Sequence, residues 1–85
     1  MIYEFYAMME MFEDVLKEIW EFVIVKRLQS PEPPDRNELE RVLECMKKCW
    51  NSAMADVGLL EQAWLGKTLT EIKAEAFDCM MNCTS

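Results

Sequence analysis

Histidine is missing from this chain of 85 residues. Its absence removes the commonest general base, the commonest metal ligand and the partner that activates most cysteine nucleophiles. Only two glycines and three prolines occur, too few for a many-turned all-β chain. No uncharged apolar run approaches the roughly 18 to 20 residues of a membrane span. Basic residues are scarce as well: nine Lys and Arg against sixteen Asp and Glu leave a net charge of −7. Phosphate-backbone binding needs a clustered basic face, so nucleic acid is not an expected partner. The first residues carry Glu4, Glu10, Glu13 and Asp14 where a secretory signal would carry a basic stretch. The expectation is therefore an intracellular, cytoplasmic chain whose thiols stay reduced. In that setting the glycosylation acceptor at Asn82 to Thr84 reads as chance.

What is present is a folded composition, with 52% apolar and 29% charged residues, enough for one domain with a modest core. From Ile2 to Gln29 no Pro or Gly interrupts the chain, and Phe5, Met8, Met9, Phe12, Val15, Leu16, Ile19 and Val23 recur at intervals of three and four. That is one face of a helix over 2–29, opposite a face of Glu10, Glu13, Asp14, Lys17, Glu18 and Glu21. Lys26 and Arg27 suit its C-terminal end. Pro31, Pro33 and Pro34 make 30–35 an extended link, and Asp35 with Glu38 forms a capping box. A second helix over 36–65 follows, with an apolar stripe at Leu39, Val42, Leu43, Met46, Cys49, Trp50, Ala53, Val57, Leu60 and Trp64. Gly58 bends or weakens it, and Gly66 is placed to stop it. Thr68 to Glu71 is a second capping box, opening a third helix over 69–83. The buried face expected of that helix is Leu69, Ile72, Ala76, Cys79 and Cys83.

The fold class is all-α: a single domain of two long antiparallel helices with a shorter third. At 1.5 Å per residue the long helices run roughly 40 Å and the third about 22 Å. The third helix then covers only the half of the pair nearest Gly66. Left uncovered are the end of the first helix, at Trp20, Phe22, Val23, Ile24 and Val25, and the start of the second, at Leu39, Val42 and Met46. A patch of that size marks an interface, here with a protein partner or a second copy. Eight methionines add adaptable apolar surface. Met11, off the core stripe, suits such a role, as does the minor strip Ala74, Phe77 and Met81.

Four cysteines fall in two Cys-x3-Cys pairs, "CMKKC" at Cys45 to Cys49 and "CMMNC" at Cys79 to Cys83. This resembles the twin pattern of the small translocase chaperones of the mitochondrial intermembrane space, of helical-hairpin toxins and of plant defence peptides. The resemblance covers the second half of the chain, with 29 residues between the pairs where those families have a shorter spacer. It implies a hairpin clamped by two disulfides, Cys45 with Cys83 and Cys49 with Cys79.

Counting along the helices gives a different expectation. From a turn at Gly66, Cys49 lies about 24 Å back and Cys79 about 15 Å forward. Cysteines bond only when their Cα atoms come within about 7 Å, so an unbroken second helix leaves Cys49 and Cys83 as the one level pair. A break near Gly58 would restore the double clamp. Four converging thiolates could instead hold zinc, or thiolates with Met hold Cu(I). Thiols on apolar stripes are ordinarily buried and free, which is the default reading, with Cys45 the most exposed.

These features together point to a non-enzymatic, acidic helical interaction protein. It would act as an adaptor, regulator or inhibitor of the kind viruses and phages encode, as a homodimer, without cofactor or small-molecule substrate. The alternative is a thiol-based redox or metal-binding protein using Cys45, Cys49, Cys79 and Cys83.

Overall fold

The computed structural model describes the backbone of residues 2–60 and 66–85, with side chains from residue 5 onward in those spans. Three helices account for most of it: α1 (Ile2–Leu28), α2 (Arg36–Leu60) and α3 (Leu69–Asn82). The expected continuation of the second helix through 61–65, with Trp64, lies outside the described residues. Gly58 is helical.

Local chemistry explains the boundaries. Asp35 caps α2, its Oδ1 accepting from the Glu38 amide at 2.7 Å. Thr68 caps α3 with an extended backbone, and its hydroxyl accepts from the Glu71 amide at 3.2 Å. Each cap satisfies an amide that the first turn would otherwise leave without a partner. Between α1 and α2 the prolines sit in an irregular link that Arg27 holds shut. Its guanidinium donates to the Glu32 carbonyl at 3.0 Å and to Glu38 Oε1 at 2.7 Å.

The helices pack up, down and up. Trp20 meets Trp50 edge to face, with ring centroids 6.1 Å apart, while Arg27 reaches Glu38 further along. Rising numbers on α1 thus face falling numbers on α2, as in an antiparallel pair. Cys45 with Cys83 and Cys49 with Cys79 set α2 against α3 in the same sense. The particle is elongated, 47 × 20 × 18 Å.

One core runs its length: Phe12, Leu16, Ile19 and Val23 from α1, Val42, Met46, Cys49, Ala53 and Val57 from α2, and Ile72, Ala76 and Met80 from α3. Burying each large side chain contributes about 1.5–3 kcal/mol. No polar or charged side chain is buried among the described residues. The α3 stripe differs from expectation. Ile72 and Ala76 are buried as expected, but Met80 is their third member, while Leu69 and Cys79 are exposed and Cys83 is half-buried. The reason is that α3 packs on two helices. Its cysteines turn sideways to α2, which leaves Met80 on the line pointing into the wedge between α1 and α2.

Candidate functional site

All four cysteines are joined, Cys45 to Cys83 and Cys49 to Cys79, and none is free. This corrects the expectation of buried free thiols and of Cys49 with Cys83 as the one pair able to meet. The earlier mismatch came from counting the hairpin from Gly66. That count assumed that the two helices face each other from the Gly66 end, whereas Cα separations of 5.7 Å and 5.8 Å put Cys45 level with Cys83 and Cys49 level with Cys79. No break at Gly58 is involved, because Gly58 is helical.

Cys-x3-Cys spacing places each pair on successive turns of one helix face. Two such faces, opposed and level, bring the Cα atoms to 5.7 Å and 5.8 Å, near the usual value for a disulfide. The bridges lie side by side, with 3.7 Å between Cys49 Sγ and Cys83 Sγ. Cys49 is buried in the core, whereas Cys79 faces solvent. In chain-entropy terms the inner bridge stabilises by about 3.5 kcal/mol. The outer one then closes only a short additional loop and adds about 2.5 kcal/mol.

Between the clamp and the α2–α3 connection, the hairpin is tied by charge. Lys67 Nζ lies 2.8 Å from Glu75 Oε2 and 3.9 Å from Asp56 Oδ2. The hydrogen bond to Glu75 raises the Lys67 pKa above its ordinary value, desolvation opposes this, and the charges of Glu75, Asp56 and Glu71 reinforce it.

The eight residues expected to form an interface divide into three groups. Val23, Val42 and Met46 are buried in the chain's own core, Val23 at 1% exposure, and have no surface to offer a partner. Trp20, Ile24 and Leu39 are half-buried, Trp20 against Trp50. Phe22 and Val25 stand in solvent at 52% and 49% exposure.

Phe22 is not isolated. Its ring lies 5.9 Å from that of Phe77 on α3, itself 37% exposed, and the Lys26 ammonium sits 5.9 Å from the Phe22 ring centroid. Further along the same α1–α3 seam, Met8, Met11, Phe12, Val15 and Leu69 line an open groove of about 420 Å³, with Lys73 at its edge. Met11 is 69% exposed there. The Phe22–Phe77 pairing joins residues from two separate strips of the sequence. Only the parallel placement of α1 and α3 brings them together, and no spacing rule within one helix could show it.

Against known proteins, the chain matches no family model, no curated protein and no solved structure. Among the described residues no helix is long and apolar enough to cross a membrane.

Proposed function

We propose that this is a non-enzymatic interaction protein, an adaptor, regulator or inhibitor that works as a disulfide-clamped scaffold and associates with a second copy of itself through the α1–α3 face. The observation that carries this reading is the pairing of Phe22 with Phe77 on the surface, on the same two helices that line the groove beside Met11 and Leu69. Large aromatic and methionine side chains held in solvent on two fixed helices are the material of binding surfaces. The clamp favours such a role, because a rigid hairpin loses less conformational entropy on association. Two disulfides persist in an oxidising compartment, so the proposed place of action is one of that kind, in contrast to the reducing interior expected from the N-terminal sequence.

Sedimentation equilibrium of the oxidised chain from micromolar to hundred-micromolar concentration tests this. Dimer is expected, with Phe22→Glu and Phe77→Glu each returning monomer at unchanged far-ultraviolet circular dichroism. A wild-type monomer throughout that range overturns self-association. A dimer indifferent to both substitutions overturns the assignment of the face.

A further inference from the structure

The cysteine cluster has a second chemistry that does not depend on the interaction face. We infer that the reduced chain binds one thiophilic divalent cation, Zn²⁺ or its analogue Co²⁺, at a four-thiolate site made of Cys45, Cys49, Cys79 and Cys83.

The sulfurs of Cys45, Cys49 and Cys83 all lie within 4.8 Å of one another. Cys79 is bonded to Cys49 and so stands at the same place. A tetrahedral zinc site with Zn–S near 2.3 Å has sulfur–sulfur edges of about 3.8 Å. The unbonded contact between Cys49 Sγ and Cys83 Sγ is already 3.7 Å. One edge of the tetrahedron thus spans the two bridges at the required length, and only side-chain rotation is needed to open the bonded pairs to match it. The backbone spacing is equally suitable. Ligands four residues apart on one helix face can chelate a single ion, as in helical metal motifs that use two histidines. Here each of two opposed helices supplies such a pair. With no histidine in the chain, an all-sulfur donor set is the one this cluster offers, and it selects soft or borderline ions. Arg41 and Lys48 line the cleft beside Cys45, together with Glu40 and Glu44.

A dithiol reductant gives each disulfide two electrons and two protons. Two reductant molecules therefore yield four thiols and are themselves oxidised to two disulfides. The cation then binds four thiolates and releases four protons, so binding strengthens as pH rises. Metal replaces the covalent clamp with a coordinate one, and α2 and α3 stay level in both states.

The test is anaerobic titration of the phosphine-reduced full chain with Co²⁺, followed by competition with Zn²⁺. Expected are the ligand-field and charge-transfer bands of tetrahedral cobalt thiolate, saturating at one ion per monomer. Circular dichroism should show helix content restored or retained at the same endpoint. The oxidised chain should give no such bands. Substituting Cys49→Ser or Cys83→Ser should weaken binding on the order of a hundredfold or more. The inference is overturned by absence of the tetrahedral bands, or by saturation at half an ion per chain. Binding without helix, which would mean thiols of an unfolded chain, also overturns it, as does affinity unchanged in both variants. None of these outcomes bears on sedimentation of the oxidised, metal-free protein.

Discussion

The α2–α3 hairpin and α1 are held by different means. The hairpin has two disulfides, the Thr68 cap and the Lys67 ion pairs. The first helix, although the longest, rests on apolar packing, the Trp20–Trp50 contact and the Arg27 latch at its far end. A short helix of 14 residues is marginal alone, and α3 is of that length. Covalent bridges let α3 stay folded on two neighbours although it offers only Ile72, Ala76 and Met80 to the core. α1 buries four large side chains and needs no bridge.

This contrast can be broken at either side. The largest effect should come from removing both bridges. The Cys45→Ala, Cys49→Ala chain is expected to lose about 6 kcal/mol in chemical denaturation, comparable to the whole stability of a domain this size. Next is the packing of α1. Val23→Glu places an unpaired charge in the core and should cost about 4 kcal/mol. The exposed neighbour Phe22→Glu, compared at a concentration where both chains are monomeric, should leave the melting curve within about 0.5 kcal/mol. With the bridges intact, the Val23→Glu loss should appear first as loosening of α1, read from Trp20 and Trp50 near-ultraviolet signals while the hairpin keeps its helix. Equal damage from the two substitutions would show that α1 is not seated as described.

Smaller is Thr68→Ala, which frees the Glu71 amide and should cost about 1 kcal/mol. Smallest is the Lys67 pairing. Its pKa is raised on folding, so its contribution is complete below the ordinary lysine value and is lost as pH climbs through the raised one. Wild type and Lys67→Met should therefore differ slightly at neutral pH and converge in strongly alkaline solution. A difference that grows with pH would contradict the assignment.

Much of the hairpin was legible in the sequence at the level of local chemistry. Asp35 with Glu38 and Thr68 with Glu71 name their caps directly, because capping depends on residues three apart. The three-helix all-α architecture followed from periodicity in the same way. The level of the two helices did not, since it depends on where α2 and α3 effectively face each other. Counting from Gly66 displaced Cys49 from Cys79 by several ångströms, enough to deny bonds whose Cα atoms stand 5.7 Å and 5.8 Å apart. The twin-motif resemblance carried the correct pairing where the arithmetic did not. Rotation of α3 was hidden for a related reason. Ile72, Ala76, Cys79 and Cys83 form a sound stripe for one neighbour, but a helix wedged on two neighbours buries Met80. The meeting of Phe22 with Phe77 depends on packing between helices far apart in sequence, which periodicity within one helix cannot express.

The pairing of the cysteines decides whether α2 and α3 stand level. Trypsin cuts after Lys47 and Lys48, and cyanogen bromide cuts after Met46, Met80 and Met81. Together they place all four cysteines on separate fragments. Mass spectrometry of the unreduced digest should find the Cys45 fragment joined to that of Cys83, and the Cys49 fragment joined to that of Cys79. Four free thiols in protein isolated under thiol-blocking conditions, or a Cys49–Cys83 bridge, would contradict the level double clamp on which the rest depends.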